Sequence, residues 1–214
     1  MSGSFLSSLT TLFTISDEQA MWRVKMQDDD DAFARLLERW ERPIQNLCTR
    51  MTGDVHRAED LTQETFARVY ARRKEYEGTG KFSTYLWRIA LNLCHDDFRR
   101  RHRWTTTISG DDGNNHLETF ASNDPEPSVV LAARENADAV KAALLQLGEA
   151  HRTVLVLRHY ENLKFREIAE VLDIPEGTVK SRMAEALTQL AGKLTPLLGE
   201  NPRITESIRE SILL

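Results

Sequence analysis

The sequence predicts an all-α protein of two small helical domains joined by a flexible linker. Three observations carry this expectation. Apolar residues recur at i, i+3, i+4 and i+7 along most of the chain, the period of a helix with one buried face. Ala, Leu, Glu and Arg are plentiful, β-branched runs are few, and only ten Gly and six Pro punctuate 214 residues. Between 105 and 127 the periodicity gives way to "TTTISGDDGNNHLETFASNDPEP", whose Gly, Asn, Asp, Ser and Pro mark a linker and a domain boundary. The length suits two small cores, and no internal repeat is visible.

The elements follow in order. Residues 1–16 form a Ser/Thr-rich extension in which Phe5, Leu6, Leu9, Leu12 and Phe13 are candidates for loose docking. Ser16 and Gln19 have the capping-box spacing, so a short helix runs to about Met26. The acidic run Asp28 to Asp31 suits the positive end of the next helix better than a metal, because divalent-ion loops interleave turn residues with their ligands. In "DAFARLLERWERPIQNLCTRM" the residues Phe33, Leu36, Leu37, Trp40, Ile44, Leu47 and Met51 mark one buried stripe, with a bend expected at Pro43. After the turn "TGD" a helix buries Ala58, Leu61, Thr65, Phe66, Val69 and Tyr70 and turns Asp60, Gln63, Glu64 and Arg68 outward. A further helix, "STYLWRIALNLCHDDFRRRHR", has Ser83 as its expected N-cap and Leu86, Ile89, Ala90 and Leu93 on its buried face.

Helical spacing resumes at Ser128. The run Val154 to Leu157 is apolar without interruption, so a buried strand competes with a helix there; its length and flanks favour a helix. "LKFREIAEVLD" then carries Phe165, Ile168, Ala169 and Leu172 on one side, and after "DIP" a longer helix places Val179, Met183, Ala186, Leu187, Leu190 and Leu194 inward. Pro175 fits its first turn and Glu176 its positive end. A short helix tightly joined to a longer one with Thr178, Lys180, Ser181 and Arg182 near its start is the helix-turn-helix pattern, whose second helix enters the DNA major groove. The final residues, 195–214, are broken by Pro196 and Pro202 and form a tail.

The net charge of −5 argues against a free-standing nucleic-acid binder. Its distribution matters more than its sum. Arg99, Arg100, Arg101, His102 and Arg103 form one basic block, while acid concentrates at Asp28 to Asp31 and from Asp111 to Asp138. A local basic patch holds phosphates even on an acidic chain, but weakly, which suits a protein delivered to DNA by a larger partner. Cys48 and Cys94 fall within helical patterns and read as reduced core thiols; Cys94 and His95 are neighbours and point about 100° apart, a poor start for a metal site. No nucleophile, base and orienting group form a set, and no glycine loop cradles a phosphate, so no catalytic residue, cofactor or metal ligand is assigned. The N-terminus lacks the pattern of a signal peptide and no segment suits a membrane span, so a cytoplasmic protein is expected.

"LRHYENLKFREIAEVLDIPEGTVKSRM" resembles region 4, the promoter-recognition domain, of the extracytoplasmic-function sigma factors. "EGTVKSR" alone is also similar to the output domain of LuxR-type response regulators. "DLTQETFARVYARRKEYEGTGKFSTYLWRIALNLCHDDFRRRHR" resembles region 2 of the same sigma factors, which LuxR-type regulators lack. The resemblance implies region 2 at 17–104, a linker at 105–127 and region 4 at 128–194. It implies that Asp60, Gln63 and Glu64 dock on core RNA polymerase. It places Asn92, His95, Arg99, Arg100, Arg101 and Arg103 at the −10 element of promoter DNA, and Thr178, Lys180, Ser181 and Arg182 at the −35 element. Trp87 and Trp104 are candidates for stacking on bases, although a helical Trp more often belongs to a core. An anti-sigma factor is the further partner implied. The chain departs from the family pattern at "MAEALTQL", where Glu185 and Thr188 stand in place of the usual further arginines. A free-standing helix-turn-helix regulator and a helical adaptor are the competing functions.

Overall fold

The computed structural model describes residues 15–108 and 138–198. Among them every regular element is helical: α1 Asp17–Gln27, α2 Asp30–Thr52, α3 Val55–Ala71, α4 Phe82–Ile108, α5 Glu149–His159, α6 Phe165–Leu172 and α7 Glu176–Leu198, with a 3-10 turn at Arg73–Glu75 and a helical stretch at 138–145. The expected docking residues of the N-terminal extension, the linker from 109 onward, the first residues of the second domain through 137 and the tail beyond 198 lie outside the described residues.

Local chemistry fixes most of the helix starts. Ser16 and Gln19 close the anticipated capping box over α1. Within the aspartate run the residues divide the work. Asp28 ends α1 in the left-handed conformation and its carboxylate receives Arg73 and Lys74 at 2.7 and 2.9 Å, whereas Asp29 caps α2 through the Ala32 N–H at 2.9 Å. Helix α2 continues through Pro43 without interruption. Helix α4 corrects the expectation at Ser83. It begins at Phe82, and the Phe82 N–H is met at 3.1 Å by the Glu18 carboxylate from α1, so the cap comes from 64 residues away. Two further corrections concern helix ends. Residues 105–108, expected to begin the linker, are still helical, and α7 runs through Pro196 to Leu198. At its other end Pro175 lies just outside α7, its carbonyl accepting from the Thr178 and Val179 N–H groups at 2.9 and 3.2 Å.

Helix α2 is the spine of the first domain, packed by α1, α3 and α4. It contributes Leu36, Ile44, Leu47, Cys48 and Met51, all buried, with Phe33, Leu37 and Trp40 half-buried at the edge. Trp87 is buried edge-on against Trp40, with ring centroids 5.7 Å apart. Each buried Leu or Ile contributes about 1.5–3 kcal/mol through removal of apolar surface from water. Cys48 and Cys94 are free thiols in this core, their sulfurs 3.7 Å apart. In the second domain α7 packs along α5 and α6.

Helix α5 buries Arg152 through Leu157 on every side. The apolar run at 154–157 is a helix and not a strand, and it is apolar all round because a third neighbour, α2 of the first domain, packs on it. The two domains therefore share one core. Arg152, 5% exposed, crosses the seam: Nη1 donates to Met51 O at 2.6 Å, and Nη2 donates to Leu147 O at 3.1 Å and to Leu145 O. Gly53, at φ +78°, lets the chain turn beneath Leu145, whose Cδ1 would stand 2.6 Å from an added Cβ.

Arg152→Ala leaves these buried carbonyls without donors. It is expected to cost about 2–4 kcal/mol in urea unfolding, well beyond an exposed arginine such as Arg166; a cost under about 1 kcal/mol would show that the seam is not built on this side chain.

Candidate nucleic-acid and polymerase interfaces

Three helix faces carry the expected functional residues. On α3 the inward residues are Ala58, Leu61, Thr62, Thr65, Phe66 and Val69. That leaves Asp60, Gln63 and Glu64 exposed together on the opposite side. Asp60 is 3.3 Å from Arg57 and Glu64 is 2.7 Å from Arg68, both within the helix. Such solvent-facing pairs hold side chains loosely and are worth under about 1 kcal/mol. The face therefore presents acid and amide groups free to exchange partners.

On α4 the expected set separates. Asn92, Arg99, Arg100, Arg101 and Arg103 are exposed. Asn92 and Arg100 have no partner among the described residues, while Arg99 pairs with Asp96 at 2.9 Å. Arg101 turns away toward a structural ion cluster. Asp97, buried, receives Arg57 at 2.9 and 2.6 Å and Arg101 at 2.9 Å, and Asp54 lies 3.9 Å from Arg101. The hydrogen bonds to Asp97 hold the Arg57 guanidinium above its ordinary range. This cluster staples the start of α3 to α4, so Arg101 has a structural task beside any contact with DNA.

His95 is half-buried and faces the second domain, with Nε2 3.3 Å from Thr153 Oγ1 and 3.4 Å from Glu149 Oε1. Burial pulls its imidazole below the usual value against the opposing pull of Glu149. In this arrangement His95 faces the second domain with only part of its ring exposed. Trp87 is in the core, so it does not stack on bases; the side chain of Trp104 lies outside the described residues. A residue that the sequence reading passed over, Arg88, stands one turn before Asn92. Its Nη2 donates to Glu170 O at 2.6 Å and its Nε to Val171 O at 3.3 Å. The i−4 spacing from Asn92 was the available signal.

On α6 and α7 the helix-turn-helix geometry rests on Asp173, whose φ of +54° turns the chain in one residue while its N–H closes on Ala169 O. Val179, Met183, Ala186 and Leu187 bury α7 against α5 and α6. Lys180 and Ser181 are exposed, and Thr178 and Arg182 are half-exposed. Lys180 reaches back to Glu176 at 2.7 Å and lies 5.9 Å above the Phe165 ring. Ser181 Oγ donates to Gly177 O at 3.0 Å. Arg182 has no partner among the described residues, so its five N–H donors are open to a base edge or a phosphate. Glu185, where arginine was the family expectation, is 2.9 Å from the His151 ring nitrogen of α5. The departure thus supplies a contact within the domain.

Comparison with known proteins identifies the family. The chain matches Sigma-70 region 2 over residues 36–105 and Sigma-70, region 4 over residues 143–191. It is 34% identical over 172 residues to the ECF RNA polymerase sigma factor SigW of Bacillus subtilis, covering 79% of this chain and 92% of that one. It is 32% identical over 187 residues to the RNA polymerase sigma-H factor of Pseudomonas aeruginosa, covering 86% and 96%. Two solved structures share the fold. CnrH in complex with the cytosolic domain of CnrY superposes with a TM-score of 0.64 at 20% identity over 85% of this chain and 99% of that one. The sigma factor RpoE in complex with the anti-sigma factor NepR from Bartonella quintana gives 0.59 at 21% identity over 76% and 96%. With regions 2 and 4 present in order and a relative matched over nearly its full length, the chain belongs to the extracytoplasmic-function sigma factors of RNA polymerase.

Proposed function

We propose that this chain docks on core RNA polymerase through the Asp60, Gln63 and Glu64 face of α3, captures the opened −10 strand with α4, and reads the −35 duplex with the start of α7. The observation that supports this best is the placement of three polar faces on helices whose other sides build the cores. Opening a promoter exposes unstacked bases, and an amide such as Asn92 pairs with a base edge while Arg99 and Arg100 hold the backbone. Major-groove reading falls to Arg182, which grips a guanine with two hydrogen bonds, with Thr178, Lys180 and Ser181 around it. We divide the chain at 17–104 and 128–194 on the same grounds.

In this reading the protein is a cytoplasmic initiation factor without catalytic chemistry of its own. No helix among the described residues is long and apolar enough to cross a membrane. The likeness to RpoE, solved with the anti-sigma factor NepR, supports an anti-sigma factor as a further partner. The net charge of −5 and the Glu185–His151 contact in place of an added cation mean that the chain alone holds duplex DNA weakly.

Reversing the charge at Asp60 and Glu64 to lysine should abolish co-purification with polymerase while leaving helical content unchanged, because both residues are exposed; retention at wild-type yield would place the docking face elsewhere. With reconstituted polymerase, Arg182→Ala should cost about 1–3 kcal/mol and relax selectivity at one −35 position. Asn92→Ala should leave the closed complex intact and slow strand opening detected by permanganate. Arg100→Ala should weaken binding to all sequences alike and reduce the salt slope by about 1. Loss of closed-complex binding on Asn92→Ala, with unchanged −35 selectivity on Arg182→Ala, would reverse the assignment of the two domains.

A further inference from the structure

Helix α1 is apolar on two opposite sides. Ala20, Met21 and Val24 are buried in the core of the first domain. At 100° per residue, Gln19, Trp22 and Met26 fall within an arc of about 60° on the far side of the helix from them. Trp22 is 54% exposed and Met26 57%, the two most exposed of the large apolar side chains among the described residues. Ile15, Gln19, Trp22 and Arg23 line a shallow groove along this side, and Met26 continues it one turn on. A helix that is apolar on opposite sides has a packing neighbour on each. Helix α5 illustrates the rule, since its additional apolar face is covered by α2. On α1 the second neighbour is not among the described residues.

The chain carries a matching segment immediately before the groove. Phe5, Leu6, Leu9, Leu12 and Phe13 fall within an arc of about 120° at helical spacing, and none of residues 1–16 has a charged side chain, so covering apolar surface with this segment buries no charge. Only Thr14 and Ile15 separate Phe13 from the Ser16 cap of α1, a link of the length that joins antiparallel helices. From Phe5 to Phe13 a helix rises about 12 Å, enough to cover the roughly 10 Å between Gln19 and Met26. A second copy of the chain is a poorer fit. A stable dimer buries about 800 Å² on each partner, and an aromatic side chain supplies only about 150–250 Å².

We propose that the outer face of α1, built on Trp22 and Met26, is the docking surface for the chain's own N-terminal extension, with residues 5–13 packed antiparallel to α1 as a further helix of the first domain. Phe13 and Leu12 then lie over Ile15 and Gln19, Leu9 over Trp22, and Phe5 and Leu6 toward Met26. The two-residue link makes this docking intramolecular. Short links give effective concentrations in the mM range or above, so a contact too weak to hold a separate peptide suffices here. Trp22 offers a large, rigid apolar face, and the unbranched Met26 adapts to what meets it.

The test uses the full chain. Leu9→Asp with Leu12→Asp puts charge into the contact and changes none of the described residues. Under dilute hydrogen peroxide, Met26 sulfoxide formation, followed by peptide mass spectrometry, is expected to be at least about fivefold slower in the unsubstituted chain than in this variant, because only the undocked fraction is open to the oxidant. Leu9→Ile with Leu12→Ile keeps the apolar stripe and should keep the slow rate. The reciprocal variant, Trp22→Ser with Met26→Ser, alters two side chains that point away from the core. It should abolish amide-exchange protection over residues 5–13 and leave the protection of α2 unchanged. Docking is overturned if Met26 of the unsubstituted chain oxidises at the rate of free methionine, or if residues 5–13 exchange there without protection. Protection that survives the loss of Trp22 and Met26 overturns the assigned surface. Oxidation of Met26 that quickens on dilution of the protein would give the face to a second copy, and protection of residues 5–13 that appears only with phosphatidylcholine vesicles would give the extension to a lipid surface; either result overturns the proposal.

Discussion

The Arg152 guanidinium, buried between the domains, is the contact on which the arrangement depends. It donates to Met51 O at the last turn of α2 and to Leu145 O and Leu147 O where the stretch at 138–145 ends. Helix C-termini carry unpaired carbonyls and the negative end of the dipole. One planar cation with donors in a fixed fork serves both ends at once, where a lysine would offer a single point of charge. Two domains are thereby joined through backbone groups, which any sequence at those positions would supply. The specificity of the join lies in the shapes beside it: Gly53 under Leu145, and the apolar faces of α2 and α5.

Around that contact the charges segregate in a way that the net value of −5 conceals. Glu161 and Glu167 of the second domain face Arg50 and Lys81 of the first, and Glu185 on α7 is turned to His151. Buried or half-buried pairs are screened by salt less than exposed ones. The Arg50–Glu161 pair, with the glutamate side chain 10% exposed, therefore has more hold on the seam than Arg166–Glu170 has on its own helix. Burial raises the Glu161 carboxyl above its usual range and Arg50 draws it back, the balance expected of an ion pair that gains its worth from an apolar setting while bearing the cost of desolvation.

The same logic separates residues engaged in the scaffold from those left exposed along α4. Asp97, one of few buried charged residues among those described, is paid for by two arginines and so draws Arg57 and Arg101 into the scaffold. Asn92 and Arg100, lacking such partners, remain available. Sequence spacing places Asn92, Asp97, Arg100 and Arg101 on one helix; it says nothing of which neighbour each side chain meets, because that neighbour arrives from α3 or from the second domain.

Sequence alone determined the helices, their inward stripes and the family. Those features rest on period, on local caps such as Ser16 with Gln19, and on left-handed turns, all set within a few residues. The exposure of Asp60, Gln63 and Glu64 was legible too, as the far side of the apolar stripe of α3. Tertiary structure alone decided the cap of α4 by Glu18, the orientation of His95, the role of Arg88, and why the run at 154–157 is apolar on every side. Each depends on a partner about 50 to more than 100 residues distant in the chain. Periodicity records how a segment divides between core and solvent, and it carries no record of which distant surface completes that core.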